Sequence, residues 1–545
     1  MTPRPDSRLR NHPARLLGKT VSAVIVRLAA AGLVLLTLAA QPTALTQASP
    51  PYGLLKAYFN LTPSPNEEFG NAVAFSVDGT SLFVAARGDT LNTVNPIGSV
   101  SILTTASGAV SRVLSETSPV SGDYFGYSLA ISGTETLVGA QLKNTGAPKS
   151  GAAFLYNNQN GAVLQSFAEQ NPSDQDYFGT SVAILSDTAV LVGVPQYSAT
   201  DIGRAYVCLK LNGDCSLAID RPSGGSADGA LFGSAMVSLG DKFAVSAPAD
   251  EAHGMVYICT TTTAALYNTI TLTNPHSGDY FGGALAAVNG NLLIGAQTRG
   301  TSVLNTPGAA YLYAPDGTLV QTFNNPDAGD PSARFGAAVA GDGDLILIGA
   351  PGAHANEGRA YLFSATTGAL IDTFKKASPA TGDQFGNAVA MMGESFVIGA
   401  PDDSAAASAA GAVYRFGPLP PTPANLAGSS KAVNAASAWS GSLITYTLTL
   451  TNSGTIAASF ALTDTLDPHV SLVTAPGLTG NSTLTATGVL TGLAQLNYQV
   501  VVHTGPTFNG VVANIAQLSG DGTTRNLTAP MVTVTNHVLL PFVRR

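Results

Sequence analysis

Apolar residues along the chain fall into short runs of strand length, and polar or Gly-containing turns separate these runs. After the Phe-Gly pair that begins at Phe125, one run spans residues 127–132 and a second spans 136–140. A third run begins at a Gly, as in GAAFLY from Gly151, and a fourth follows a turn of the Asn-Gly or Asp-Gly type. Runs of this length separated by such turns predict four strands joined as hairpins.

The same unit occurs seven times. Its Phe-Gly pairs begin at Phe69, Phe125, Phe178, Phe232, Phe281, Phe335 and Phe385. The intervals are 56, 53, 54, 49, 54 and 50 residues, and a period of this size is typical of repeat architectures. The second residue after each pair is always Ala or Ser, which fits a position where neighbouring backbones approach closely. Four strands in each of seven repeats predict an all-β fold with a seven-bladed β-propeller.

The segment before the first repeat predicts how the ring closes. Residues 54–69 resemble the fourth-strand segment at 370–385, whereas the seventh repeat stops after its third strand at 414–416. The N-terminal strand is therefore predicted to supply the fourth strand of blade seven. This prediction places the propeller in residues 49–417, followed by a Pro-rich linker at 418–424.

Residues 425–537 follow a different pattern. The segment LITYTLTLT at 443–451 alternates apolar and polar residues, and further short runs of this kind continue to residue 535. Alternation with a period of two over several short runs predicts a β-sandwich. The last residues, 538–545, are predicted to form a tail.

The first 48 residues are predicted to be a signal peptide. Six basic residues lie between Arg4 and Arg27, and an apolar stretch of 13 residues follows at 28–40. That stretch is short for a bilayer span, although a retained membrane anchor stays open because the basic region is long. Without residues 1–48, the chain has 19 basic and 33 acidic residues and a net charge of −14, which argues against nucleic acid as a partner. We expect a secreted or cell-surface protein with no stable membrane span after cleavage.

The three cysteines leave two interpretations open. Cys208 and Cys215 lie on opposite arms of a hairpin that turns at Asn212-Gly213, near enough for a disulfide if the register allows it. Cys259 takes the position in repeat four that Cys208 takes in repeat three. The alternative is three buried free thiols that pack as small apolar side chains.

Several motifs carry a resemblance to known families. Phe-Gly followed by Gly-Ala-Pro, as in 349–351 and 399–401, resembles the FG-GAP repeats of integrin α-subunit propellers and, more closely, of bacterial extracellular FG-GAP proteins. Residues 440–454 with 463–466 resemble the immunoglobulin-like conserved repeat domain of bacterial surface proteins. The two resemblances imply an integrin-like propeller followed by an Ig-like domain that serves as a spacer or adhesive module.

The resemblance to integrins also implies a possible calcium site, because integrin-type repeats often bind calcium in an Asp-rich loop between strands one and two. Here those links are tight turns, such as 77–79 and 132–134, and even Asp342-Gly343-Asp344 offers too few oxygens for a calcium cage. We therefore predict no metal site, and no cofactor.

Loop length predicts where a ligand binds. The links between strands two and three and those between blades are long and emerge on one face, and loops on a rigid scaffold are common binding sites. Candidate ligand-binding residues on that face are Arg87, Asp89, Asp250, His253, His354, Asp402 and Asp403. Arg87-Gly88-Asp89 spells the tripeptide that integrins recognise, but it also fits a variant of the repeat's own turn. The two histidines could bind a metal or act in acid–base chemistry, but their pattern favours solvated loop residues, because no base, nucleophile and oxyanion donor can be placed together.

These patterns favour an exported, non-catalytic binding or adhesion protein. Its ligand is expected to be an extracellular protein or glycan that contacts the long-loop face, and the chain is predicted not to be an enzyme. The alternatives are an extracellular enzyme that acts on glycans and a structural protein of the cell envelope, because a fold alone does not determine function.

Overall fold

The computed structural model describes residues 52–536, apart from 92–95, 196–201, 223–228, 299, 302–303, 306, 328, 421 and 493. Nearly all regular structure in these residues is β-strand, with helical turns at Asp250–Ala252 and Ala353–Asn356. The predicted all-β fold is confirmed. No helix in the described part of the chain has the length and apolar character needed to cross a membrane. The predicted signal peptide (1–48) and tail (538–545) lie outside the described residues.

Residues 52–418, the seven-sheet region, contain seven four-stranded antiparallel sheets. The N-terminal strand is β1 (Tyr52–Tyr58). Sheets one to three contain β2 (Phe69–Phe75), β3 (Ser81–Ala86), β4 (Ser99–Thr104) and β5 (Val110–Leu114); β6 (Phe125–Ser132), β7 (Glu135–Ala140), β8 (Ala152–Asn157) and β9 (Val163–Phe167); and β10 (Val182–Ile184), β11 (Ala189–Val194), β12 (Arg204–Leu209) and β13 (Leu217–Asp220).

Sheets four to seven complete this region. They contain β14 (Met236–Ser238), β15 (Lys242–Ala247), β16 (Met255–Thr260) and β17 (Leu266–Ile270); β18 (Phe281–Val288), β19 (Asn291–Ala296), β22 (Ala309–Tyr313) and β23 (Leu319–Asn324); β24 (Ala338–Asp342), β25 (Leu345–Ala350), β26 (Arg359–Ser364) and β27 (Leu370–Phe374); and β28 (Ala388–Met392), β29 (Ser395–Ala400), β30 (Ala412–Pro418) and β1. A small hairpin of β20 (Gly300–Thr301) and β21 (Leu304–Asn305) lies between β19 and β22.

The first strands of successive sheets contact one another in a closed series. β2 contacts β6, and the series continues through β10, β14, β18, β24 and β28 back to β2. Within each sheet the strands follow chain order, apart from the N-terminal strand in the seventh. This arrangement is consistent with a β-propeller, in which the first strands surround the axis.

The N-terminal strand closes the seventh sheet, as the sequence predicted. β1 pairs antiparallel with β30, with Tyr52 opposite Pro418 and Tyr58 opposite Val413. The Tyr52 ring packs edge-to-face on Phe396, with 5.1 Å between ring centroids. The two ends of the seven-sheet region therefore hold each other in place.

The Phe of one repeat and the Gly before the third strand of the preceding repeat meet where one sheet joins the next. Phe385 is fully buried and packs on Tyr414 of its own repeat, with ring centroids 5.7 Å apart. Gly358, just before the third strand of the preceding repeat, has φ +83°, and a Cβ there would lie 2.0 Å from the Phe385 carbonyl oxygen. Only Gly accommodates both the left-handed backbone and this close approach.

A carboxylate two residues before the Phe caps the turn that leads into several repeats. It accepts a hydrogen bond of 2.6–2.8 Å from a backbone N–H three residues earlier in the case of Asp123, Asp279 and Asp383. These side chains are almost fully buried. They therefore fix the backbone of the turn rather than face a ligand.

The C-terminal region, residues 422–536, contains three further sheets. They contain β31 (Ser430–Val433), β33 (Leu443–Thr451), β37 (Gln495–Thr504) and β35 (Val470–Thr474); β32 (Ser437–Trp439), β41 (Val532–Thr535) and β38 (Gly510–Val512); and β36 (Thr483–Leu490), β34 (Ala458–Thr465), β39 (Ile515–Gly520) and β40 (Thr523–Thr528). Every second residue of β33 from Ile444 to Leu450 is fully buried, and all three sheets contribute to one apolar core. The predicted alternation in this segment is confirmed.

Cys208 and Cys215 are joined by a disulfide across the hairpin between β12 and β13, with 4.1 Å between their Cα atoms. Cys259 is a buried free thiol, and burial raises its pKa to about 11. The thiol therefore stays protonated at neutral pH and packs as a small apolar side chain.

Candidate functional site

The long connections lie at one end of the seven sheets. In sheet two, β6 and β7 are joined by a two-residue turn, whereas β7 and β8 are separated by residues 141–151. Antiparallel order places this long link on the same side as the Phe-Gly pair that begins β6. We call this side the long-loop face.

A cavity of about 370 Å³ opens at the centre of the long-loop face and is called the central pocket. Its lining comes from repeats one, two, five, six and seven, which places it at the axis of the ring. The lining includes Glu68, Asn71, Arg87, Tyr127, Gln384, Asn387 and Asp402, with Gly283 and Ala337 on the far side. Two of the predicted ligand-binding residues, Arg87 and Asp402, therefore meet in one cavity although 314 positions separate them in the sequence.

A repeated backbone turn positions part of this lining. The residue immediately before each Phe-Gly pair is left-handed, with φ between 52° and 60°, at Glu68, Tyr124, Tyr177, Leu231, Tyr280, Arg334 and Gln384. Non-Gly residues adopt this conformation rarely, and structures keep it where surrounding contacts enforce it. Two of the residues in these turns, Glu68 and Gln384, line the central pocket.

Arg87 is held between a carboxylate and two aromatic rings. Its Nε donates a short hydrogen bond to Glu68 Oε2, and its guanidinium carbon lies 5.7 Å from the Tyr124 ring centroid and 5.5 Å from that of Tyr127. The Arg87 side chain is 30% exposed. A guanidinium with this exposure, and with its position fixed by rings, still has donors available for a ligand.

Asp402 lies in a less solvated part of the pocket. Gln384 Nε2 donates a short hydrogen bond to Asp402 Oδ2. Burial raises the pKa of Asp402 above its usual value, and the negative charge of Glu68 raises it further. The pocket therefore brings together two carboxylates and one guanidinium, with amide side chains beside them.

Three other predicted ligand-binding residues are buried and internally paired. Asp89 Oδ2 accepts from Ser99 Oγ at 2.5 Å and Asp89 Oδ1 from the Leu91 N–H at 2.8 Å. Asp250 accepts two hydrogen bonds from Arg221, of 2.6 and 2.7 Å.

Asp403 is likewise buried. It forms an ion pair with Lys376 Nζ at 2.7 Å, and it accepts hydrogen bonds from the Ala405 N–H at 2.7 Å and from the Tyr414 hydroxyl. The geometry gives Asp89, Asp250 and Asp403 structural roles inside the loops, because their oxygen atoms are turned away from solvent.

The two predicted histidines lie in separate loops. His253 Nδ1 is 3.1 Å from the Gly254 carbonyl oxygen, and its Nε2 is 3.8 Å from Glu251. His354 Nε2 is 3.1 Å from Asp327 Oδ2, and this side chain is 46% exposed. Neither histidine lines the central pocket. In the part of the chain that the structure describes, no group of three or more His, Cys, Asp or Glu side chains is placed to hold a metal ion.

Sequence reasoning missed most of the pocket lining. Glu68 and Gln384 precede a Phe-Gly pair, and Asn71, Tyr127 and Asn387 follow one. These two flanking positions vary between repeats, whereas the Phe, the Gly and the small residue stay fixed. That contrast is the signal that identifies them, because positions required by the scaffold are constrained in every repeat and positions around the axis mouth are not.

A second cavity, of about 460 Å³, lies between sheets one and two on the opposite face. It is lined mainly by hydroxyl and amide side chains around Phe83 and Ile102. Its carboxylate, Asp78, already accepts from Ser76 and Thr80. The central pocket is the stronger candidate site because its charged groups face the cavity.

Comparison with solved structures finds the quinohemoprotein alcohol dehydrogenase ADHIIG from Pseudomonas putida HK5. The match has 10% sequence identity and a TM-score of 0.37, and it covers 71% of this chain and 81% of that one. It contradicts the prediction that the chain is not an enzyme, and we withdraw that prediction. A likeness this distant assigns no particular activity.

Comparison with sequence families finds the FG-GAP repeat in residues 117–156, 325–363 and 377–416. Each matched segment begins before a Phe-Gly pair and ends in the third strand of its sheet. The three matches agree with the resemblance seen in the motifs. They support the interpretation of the chain as an FG-GAP repeat protein.

Proposed function

We propose that this protein is an exported binding protein of the cell surface or extracellular space, and that its ligand contacts the central pocket. In this proposal the seven sheets are the blades of a seven-bladed propeller, and the C-terminal region is an Ig-like domain of bacterial surface-protein type. FG-GAP repeats are typical of extracellular and surface proteins, which supports the proposed location.

The central pocket carries the proposal. It brings Arg87, Glu68 and Asp402 together in a cavity lined by several repeats. A cavity that offers a guanidinium donor, carboxylate acceptors and amide groups suits a ligand with several polar groups, such as a glycan or a polar loop of an extracellular protein. The aromatic rings of Tyr124 and Tyr127 provide apolar surface beside these groups.

The test is binding of the full chain to an array of glycans and extracellular matrix proteins. Arg87→Ala and Asp402→Ala should each weaken retention at least tenfold, because both remove a polar group from the pocket. Arg112→Ala is the matched control, since Arg112 binds the Gln159 and Asn160 carbonyls outside the pocket. Equal retention by all three variants would contradict the proposed site.

A glycan-active enzyme is the second candidate. Asp402, whose pKa is raised by burial and by Glu68, has the property of a general acid, and Glu68 beside Arg87 offers a second carboxylate. Paired carboxylates in different environments are the groups that glycoside hydrolysis uses. Release of reducing sugar from a glycan panel, abolished in Asp402→Asn, would support this candidate. Binding without turnover would favour the first.

A further inference from the structure

Lys431 and Asp464 form an ion pair in the core of the C-terminal region. Lys431 Nζ lies 2.6 Å from Asp464 Oδ1, and both side chains are 0% exposed. Lys431 is on β31, in the sheet with β33, β37 and β35, whereas Asp464 is on β34, in the sheet with β36, β39 and β40. The contact therefore links two different sheets through their shared core.

Few hydrogen bonds stabilise the two buried charges of this pair. In the described part of the chain, Asp464 Oδ2 has no hydrogen-bond partner, and neither does the hydroxyl of Tyr446. Lys431 Nζ lies 5.2 Å from the centroid of the Tyr446 ring, so an aromatic face borders the ammonium group. A buried ion pair is stable only when further hydrogen bonds satisfy its remaining donors and acceptors.

A second buried lysine lies in an ion pair whose carboxylates have further hydrogen-bond donors. Lys376 in the seven-sheet region contacts Asp383 and Asp403, both at 2.7 Å. Each of these carboxylates also accepts a backbone N–H, from Ala380 and from Ala405. Among the described residues, the Lys431 site has neither a second carboxylate nor a backbone donor, so its charges gain less from remaining ionised.

We propose that Lys431 and Asp464 condense to an intramolecular amide bond that joins the two sheets covalently. A proton first passes from the ammonium group to the carboxylate across their hydrogen bond. The neutral amine nitrogen then attacks Cγ of Asp464, the C–N bond forms and the bond from Cγ to the hydroxyl oxygen breaks. The hydroxyl leaves with a proton from nitrogen as one water molecule, and no other reactant is needed.

The surroundings favour this condensation. Burial lowers the pKa of Lys431, and the charge of Asp464 offsets part of that effect. A fully buried site favours the neutral amine and acid over two charges, and the amide product leaves no charge in the core. The fold also holds the reacting groups together, which for well-oriented intramolecular reactions corresponds to effective molarities of about 10⁵–10⁸ M.

Peptide mapping of the full chain tests the proposal. Between Arg415 and Arg525, Lys431 is the only Lys or Arg residue. An unlinked chain should give tryptic peptides 416–431 and 432–525. The amide blocks cleavage at Lys431, so the expected product is one peptide, 416–525, lighter by one water molecule. Chymotrypsin, which cleaves after Tyr446, should leave the Lys431 and Asp464 fragments joined.

Two peptides of ordinary mass would overturn the proposal, as would a loss of water without joined fragments. In Lys431→Arg, trypsin should cleave at that position and both peptides should have their ordinary masses. A loss of water that persists in this variant would also overturn the proposal. Lys376→Arg is the matched control and should leave the joined product unchanged. The peptide masses of the unaltered chain test the proposal whether or not either variant folds.

Discussion

The seven-sheet region and the C-terminal region both bury carboxylates, but they surround them differently. Asp250 of the seven-sheet region accepts two hydrogen bonds from Arg221 and one from the Tyr257 hydroxyl. Asp464 of the C-terminal region accepts one bond, from Lys431, and its second oxygen has no partner among the described residues. The first carboxylate fixes a loop, and the second lies between two sheets.

The two locations differ in the hydrogen-bond donors that they offer to a buried carboxylate. Some loop carboxylates in the seven-sheet region accept hydrogen bonds from backbone N–H groups of the loops, as Asp89 does from Leu91 and Asp403 from Ala405. A side chain between two sheets has few such donors, because the backbone groups of both sheets are already paired within the strands. A charge buried there is stabilised mainly by its direct partner, or by a reaction that removes the charge.

The largest effect is expected when a satisfied pair is broken. Asp250→Ala leaves the Arg221 guanidinium buried, with 4% of its side chain exposed, and without its carboxylate. Removing one member of a buried ion pair lowers the free energy of unfolding by about 3–5 kcal/mol. Denaturant unfolding measures this change, and hydrogen exchange of β14 to β17 locates it in sheet four.

Asp241→Ala is the control for that variant. Asp241 pairs with Lys242 at 2.8 Å, but its side chain is 81% exposed. Solvent screens such a pair, so no measurable change in unfolding is expected. Equal effects in the two variants would show that burial does not distinguish the two pairs.

A smaller effect is expected at Asp372, a buried carboxylate of β27. Burial raises its pKa from 3.8 to about 6, and the hydrogen bond from the Thr373 N–H opposes the shift. The folded state therefore binds this proton more tightly than the unfolded state does. The free energy of unfolding should fall by about 2 kcal/mol as pH rises from about 4 to 6, and it should stay lower above that range.

Asp372→Asn removes this titration, because an amide does not ionise. The variant should be more stable than the unaltered chain at pH 7 by about 2 kcal/mol and nearly equal to it at pH 4. Denaturant midpoints at the two pH values measure the difference. A variant that is less stable at both would show that the Asp372 carboxylate is favourable while ionised.

Much of the fold could be predicted because the repeat constrains backbone geometry locally. A Phe-Gly pair such as Phe385-Gly386 requires a left-handed Gly and a buried ring wherever it occurs, so the repeated four-stranded sheets could be predicted from its copies. The alternation in β33 likewise depends only on neighbouring residues. The alternation needs no knowledge of remote parts of the chain, and the pairing of β1 with β30 was predicted from the likeness of residues 54–69 to 370–385.

The candidate site could be predicted only in part, because it forms between repeats. Arg87 and Asp402 were found because they lie in long loops. Glu68 and Gln384 were missed because a left-handed turn before Phe determines their positions, and only the variation between repeats at that position marks them in the sequence. Asp89 and Asp403 look like surface residues in the sequence, and only the structure shows the donors that bury them.

The smallest effects concern two buried tyrosine hydroxyls, one in each region. The Tyr414 hydroxyl donates to Asp403 Oδ2 at 2.5 Å, whereas the Tyr446 hydroxyl has no partner within the described residues. Tyr414→Phe removes a hydrogen bond to a charged group and should lower the free energy of unfolding by about 1.5 kcal/mol.

Tyr446→Phe removes a polar atom that is buried without a hydrogen bond, so it should leave the free energy of unfolding unchanged or raise it by up to about 1 kcal/mol. Hydrogen exchange of β33 and β37 reports this change in the C-terminal region, and exchange of β29 and β30 reports the Tyr414 variant. If both variants lost stability equally, the Tyr446 hydroxyl would have a partner in solution. The proposed difference between the two regions, in how completely buried polar groups are hydrogen-bonded, would then be wrong for these two tyrosines.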